Sequence, residues 1–266
     1  MASRTSSLPR IIAALHLLPS PESMRPEAQP LSRIIEHALL HAQIAYEGGV
    51  RAFYFQDVHD TPVAPQISEH TLSRMIAIGR ELRRAFPDVA LGVCLMQHGG
   101  KAPIQIAQAI DAQFVRIKVY VGAMVKAEGI VQGCAYEAIH TRHHLNAEHV
   151  KIFADVYDRL GAPLGDIPLP ELCRQAVEFG RADGLVLTGR TPEQSMRMFD
   201  EVRPLKLPVP LILGGGVSAQ NIKYFINRAD HFIVHAAFVQ RGLPARNGIP
   251  VEWDVSLVRE LVALAG

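Results

Sequence analysis

The chain has 266 residues, 48% of them hydrophobic, with 27 Lys and Arg against 26 Asp and Glu. That length and apolar content support one large core, and the near balance of charge, with no long basic block, excludes the row of phosphate contacts that nucleic-acid binding needs. No apolar run reaches the roughly eighteen residues of a membrane span, and three widely spaced cysteines, Cys94, Cys134 and Cys173, suggest neither a disulfide framework nor a zinc knuckle.

These features predict a cytoplasmic protein with buried free thiols and a small-molecule partner, with no nucleic acid and no membrane span; assembly into a homo-oligomer is left open. Residues 1–9 are expected to be a loose leader and residues 10–266 a single domain, because no low-complexity linker divides the chain. The first strand is expected over 11–17, with His16 near its end, and an amphipathic helix over 31–47 follows. "EGGVRAFYF" turns that helix into a strand over 51–56, which ends at Gln56 and Asp57 and runs on to His59 and Asp60. A helix over 70–85 leads to a strand over 89–96, followed by Gln97 and His98. After a helix over 102–110, "AIDAQFVRI" opens a strand over 113–120 that carries Arg116, Lys118 and Tyr120. A helix over 134–145, a strand over 150–156 bearing Asp155 and a helix over 169–180 come next. "FGRADGLVL" then opens a strand over 184–188 that ends at Thr188. Thr191, Pro192 and Glu193 supply a cap and first turn for a helix over 192–202. The strand over 209–214 ends in Gly214, Gly215 and Gly216, and Ser218 is expected to cap a helix over 218–228. "INRADHFIV" opens the last strand, 231–235, which ends at His235 ahead of a terminal helix from Asp254.

The four quoted junctions repeat one unit: a helix end with small residues, an Ala-Asp or similar pair suited to the turn, then an apolar strand. Eight alternations of strand and helix predict an α/β protein, a single-domain (β/α)8 or TIM barrel, with an open doubly wound sheet as the alternative. In such a barrel function gathers at the strand ends, where this chain places its polar residues.

Arg116, Lys118 and Tyr120 alternate with Val115, Ile117 and Val119, so strand geometry points the polar set into the barrel. A buried lysine needs a partner, and Asp155 on the next strand is expected to supply it, as a structural ion pair or as a catalytic pair with Lys118 as nucleophile or acid-base group. His16 and His98 are candidate proton carriers; Gln56, Asp57, Arg116, Tyr120 and Thr188 are candidate substrate contacts. No cofactor motif is present; a divalent metal among His16, Asp57, His98, Asp155 and His235 is an alternative without compact ligand spacing. Histidines 140, 143, 144 and 149 read as a solvated helix face and its exit. "VGAMVKAEGIVQG", 121–133, is long for a strand-to-helix connection and is expected to be either a mobile lid above Lys118 or an ordered loop packed by Met124, Val125 and Ile130. Gly214 to Gly216 are expected either to form only a tight corner or to let an anion approach their backbone amides, with the helix capped by Ser218 and with His235 as a donor completing a phosphate site.

"LHLLPSP" at 15, "GGV" at 48, "FVRIKVYVGAMVKAEGIVQG" at 114, "VKIFADV" at 150, "RADGLVLTG" at 181 and "LILGGGVSAQN" at 211 together resemble the BtpA family of TIM-barrel proteins, which includes a photosystem I biogenesis factor. The resemblance spans nearly the whole chain and implies the barrel fold. It departs in the pocket: "QDVHD" stands where the family has an ENFGD-like segment, "CLMQHG" where it has an NVLRND-like one, Lys118 where it has Asn, and His235-Ala236 where it has Gly-Thr. The expected function is an enzyme for a small polar, phosphorylated or sugar-like metabolite, with lyase or isomerase chemistry. A non-catalytic assembly or regulatory factor, as the resemblance permits, and a metal-dependent hydrolase or lyase are the alternatives.

Overall fold

Period-two alternation sorts the strand side chains into two layers, and that sorting closes the sheet. Ile12, Ala14, Tyr54, Cys94, Phe114, Phe153, Val186, Ile212 and Ile233 form a buried inner cluster, while Ile11, Ala13, Leu15, Phe53, Phe55 and Val93 belong to the outer core that meets the helices. The inner layer is filled rather than hollow: the Phe114 and Phe153 rings stack at 5.0 Å, and a Cβ on Gly92 would lie 2.2 Å from the Phe114 ring. Glycine at 92 therefore leaves the space that this ring occupies.

The computed structural model describes residues 8–64 and 66–266. Of the expected leader, only Leu8 and Pro9 fall within the described residues; Leu8 packs against the inner cluster and the Pro9 carbonyl accepts from His231 Nδ1. The elements are β1 (Ile11–His16), α1 (Leu31–Glu47), β2 (Ala52–Gln56), α2 (Glu69–Ala85), β3 (Ala90–Cys94), α3 (Lys101–Ala109) and β4 (Phe114–Ile117). A hairpin follows, β5 (Ala123–Lys126) and β6 (Gly129–Gln132), then α4 (Ala135–His144), β7 (Lys151–Asp155), β8 (Ala162–Pro163) and α5 (Leu169–Arg174). The chain ends with β9 (Gly184–Leu187), α6 (Pro192–Val202), β10 (Leu211–Leu213), β11 (His231–Val234) and α7 (Val255–Ala265). Eight parallel strands close in the order β1-β11-β10-β9-β7-β4-β3-β2, so the fold is a TIM barrel, not the open sheet.

Three of the four repeated junctions prove to be clamps at the N-terminal face. The residue just before β4, β9 or β11 is Gln113, Asp183 or Asp230, and its side-chain oxygen accepts from the first amides of the neighbouring strand, at Leu91, Ile152 and Leu211 respectively. An arginine from the helix before that neighbour, or just beyond its end, binds the same side chain: Arg83, Arg142 and Arg203. Each clamp satisfies an amide that would otherwise be orphaned where the sheet begins.

Two expectations fail locally. The strand expected over 113–120 stops at Ile117, and the bend at Lys118 and Val119 turns Tyr120 outward into the outer core, where its hydroxyl donates to the Gly180 carbonyl. Over 218–228 no α-helix forms: the segment is a series of turns with one 3-10 turn at Ile222–Tyr224. Ser218 is not a helix cap; its amide donates to Asn221 Oδ1, and Asn221 Nδ2 donates to the Gly216 carbonyl. The amide side chain closes the corner by itself, and the aromatic and β-branched residues after it have weak helix propensity. No helix among the described residues is long and apolar enough to cross a membrane.

Candidate functional site

The strand ends open into a cavity of about 210 Å³. It brings together His16, Gln56, Arg116, Lys118, Asp155, Thr188, Gly214, Gly215, Gly216 and His235. Asp57, His98 and Tyr120 lie outside it. Asp57 is buried beside the β3 end, with Oδ1 accepting from the Met96 amide at 2.7 Å and Oδ2 unpartnered; burial pushes its carboxyl up to about 6. His98 lines a second, smaller pocket that it shares with Met96, Arg116 and Lys118, and its Nε2–H donates to the Gln132 carbonyl, tying the β3 loop to β6.

The ion pair expected for Lys118 is made by Arg116 instead. Arg116 Nε and Nη2 donate to the two Asp155 oxygens, each at 3.0 Å, and Nη1 donates to the Tyr54 hydroxyl at 2.9 Å. The planar fork matches a carboxylate as an ammonium cannot, so the guanidinium on the inward-facing strand position captures Asp155 first. Burial works against the Arg116 charge, but Asp155 more than offsets it and holds the guanidinium well above its ordinary range. Tyr54 lies two positions before Gln56 on the same strand face; that spacing alone would have marked it as a barrel-lining partner.

Lys118 is left without a carboxylate within ion-pair distance among the described residues, and its Nζ rests against the Met96 sulfur. Burial pushes its ammonium below the usual lysine range, and the charges of Lys126 and Arg116 add to the effect against Cys94 and Asp158. Asp158 instead holds Lys126 of the hairpin, 2.8 Å from Nζ, with Glu128 at 3.0 Å on the same ammonium. Burial alone would raise the Asp158 carboxyl, but Lys126 overrides it and keeps it low.

Histidines line the opposite wall. The His16 and His235 rings stack at 3.6 Å, and His59 approaches His16 edge-on at 6.3 Å. His235 Nδ1–H donates to the Ala14 carbonyl at 3.0 Å, which leaves Nε2 as an acceptor, and burial pushes its imidazolium below the usual histidine range. Burial first, then His235, His59, Arg116 and Lys118, push His16 down to about 2. Neither His16 ring nitrogen has a hydrogen-bond partner among the described residues.

The glycine corner is built for close approach. Gly215 and Gly216 have φ of 150° and 81°, and a Cβ on either would meet nothing within 4 Å. A Cβ on Gly214 would lie 2.1 Å from Thr188 Oγ1. That hydroxyl is buried and unpartnered, at the rim where the corner meets the cavity. The acids and histidines proposed as metal ligands do not converge: among the described residues no three His, Cys, Asp or Glu side chains are grouped as a ligand set.

Comparison with known proteins agrees with the motifs. A Thermococcus kodakarensis protein of uncharacterised function is 30% identical over 257 residues, covering 96% of this chain and 94% of its own length. The Photosystem I biogenesis protein BtpA of Synechocystis is 28% identical over 239 residues, covering 87% of this chain and 81% of its own. The structure of 7,8-dihydropteroate synthase from Vibrio fischeri superposes with a TM-score of 0.59 at 14% identity, over 99% of this chain and 95% of that one, a likeness of fold. The model of the BtpA family matches residues 8–264, and the chain belongs to that family.

Proposed function

We propose that this protein is an enzyme for a small phosphorylated or sugar-like metabolite bearing a carbonyl, with lyase or isomerase chemistry at the cavity and Lys118 as its nucleophile. The observation that carries this reading is the Lys118 amine, half-buried at the cavity wall without a carboxylate because Arg116 has taken Asp155. An ammonium so placed gives up its proton more readily, which is what a Schiff-base lysine requires. Its lone pair adds to the substrate carbonyl carbon; loss of water leaves an imine. The protonated imine takes up the electron pair of a bond one carbon away as that bond breaks, leaving an enamine; a proton returned to that carbon restores the imine, and water hydrolyses it to release product and free amine. The Gly215 and Gly216 amides and the Thr188 hydroxyl hold the anionic group, and backbone amides do this here without a helix dipole behind them.

The test is borohydride reduction in the presence of a panel of phosphorylated ketoses and aldoses, followed by peptide mass spectrometry. A reduced adduct on Lys118, absent in Lys118→Met, is expected. Turnover of a substrate that leaves no adduct on Lys118 removes the nucleophile role.

A second reading, a non-catalytic assembly factor, is supported by the relative named for photosystem I biogenesis and by the exposed Ile130, Leu160 and Leu164 on and near the hairpin. Under that reading Lys118→Met leaves biological function intact while the fold survives.

A further inference from the structure

We propose that His140 and His144 form a bidentate surface site for a late first-row transition-metal ion on α4, separate from the cavity. Residues four apart share one helix face, and Ala135, Ala138 and Thr141 are the side chains that α4 buries. His140 and His144 are therefore carried outward, and both are exposed. Their rings lie nearly parallel, 7° apart in plane with centroids 6.2 Å apart, so modest side-chain rotation brings one nitrogen from each to a common ion. Tyr136, one turn earlier, stacks on His140 at 5.7 Å and narrows the positions that ring takes up.

The intervening histidine belongs to a different contact. His143 Nδ1 lies 3.5 Å from Glu148 Oε1, so it faces the turn beyond the helix and not its neighbours' common face. His144 is also the last residue of α4, where the unpaired carbonyls form the negative end of the helix dipole and favour a cation. Imidazole nitrogen suits copper, nickel and zinc, and the Irving–Williams order places Cu²⁺ above Ni²⁺ and Zn²⁺. With two protein ligands the remaining positions go to water, so the site is open and exchangeable.

The test uses the full chain, freed of metal by chelation and titrated calorimetrically with Zn²⁺ alone and with Ni²⁺ alone. One ion per chain is expected. Because the second imidazole binds intramolecularly, His140→Ala and His144→Ala should each weaken binding by about tenfold or more, whereas His143→Ala should leave it unchanged. All three positions are exposed, and circular dichroism confirms that the variants fold. The proposal is overturned if the unaltered protein binds neither ion, if His140→Ala or His144→Ala binds as tightly as the unaltered protein, or if His143→Ala weakens binding as much as they do.

Discussion

At Thr188 the proposed anion site is tested by a single residue. Its buried hydroxyl has no partner, so the folded protein carries an uncompensated polar group. Thr188→Val removes that group at nearly constant volume and should raise stability by about 1 kcal/mol, while weakening the binding of inorganic phosphate. Chemical denaturation and calorimetry read the two effects; loss of stability with unchanged phosphate binding would make the hydroxyl structural. His37 makes the complementary case for pH. It is 4% exposed, with its ring tilted against His41 at 4.1 Å and Nδ1 unpartnered, and burial followed by neighbouring histidines pushes it down to about 3 from 6.5. The unfolded chain therefore binds a proton that the folded chain refuses: stability is complete above about pH 6.5 and is lost as pH falls toward about 3. One such group contributes a slope of about 1.4 kcal/mol per pH unit, and His37→Leu should flatten the stability profile by that amount between about pH 6 and 4. An unchanged slope in urea titrations across that range assigns the acid sensitivity to other groups. The candidate residues themselves were legible because strand ends collect function, but their pairing was not. Sequence spacing offered Asp155 both Arg116 and Lys118, and only the geometry of a fork against two oxygens decides between them.

At the scale of elements, the junction repeat and the hairpin separate stability from function. Asp183 serves the β7 edge at the N-terminal face, far along the strands from the cavity, and is shared by Arg142 and Lys151. Asp183→Ala leaves the Ile152 amide without its acceptor and should cost about 1–3 kcal/mol, with phosphate affinity at the cavity unaltered; a change in affinity would show that the two faces communicate. The connection over 121–133 is a hairpin extended by β8 into a three-stranded sheet, with Met124 and Val131 buried and Val125 and Ile130 exposed. Of the packing residues expected for an ordered loop, only Met124 serves. Lys126 latches the hairpin to Asp158, a cavity residue, so a ligand that engages Asp158 or Lys118 should change amide protection over β5 and β6. Hydrogen exchange with and without phosphate checks this, and equal protection in both states excludes a lid. The hairpin was hidden from sequence because its strands are four residues each and only partly buried, which leaves almost no alternation to read. The missing helix after Ser218 was hidden for another reason: a cap-like residue and a period of apolar side chains look the same whether turns or a helix carry them.

Across the whole molecule, closure of β1 against β11 makes the two chain ends part of one core. Trp253, the only tryptophan, is buried between His41, His235 and Phe238, and Gly48 gives way to Val258 of α7. The outer core runs as one cluster from Ile11 to Ala265, so both sides of this seam share it. Urea unfolding followed by tryptophan emission and by far-UV circular dichroism should therefore give coincident transitions; an emission change that precedes loss of helix would show that the seam opens independently.

The order of the eight barrel strands, the helices between them except the one expected after Ser218, and the parallel barrel were determined by the sequence alone, because alternation and helical period are local properties of consecutive residues. Family membership was legible for the same reason, in motifs that run from Leu15 to Asn221. The tertiary structure decided what local pattern cannot carry: that Arg116 and not Lys118 holds Asp155, that Tyr120 faces away and His98 is tied to the Gln132 carbonyl, that five histidines from β1, α1, the β2 loop and the β11 end pack as neighbours, and that Thr188 is left unpaired. Each depends on which side chain from a distant strand reaches a shared space first, a competition settled by distance and shape across the barrel and invisible along the chain.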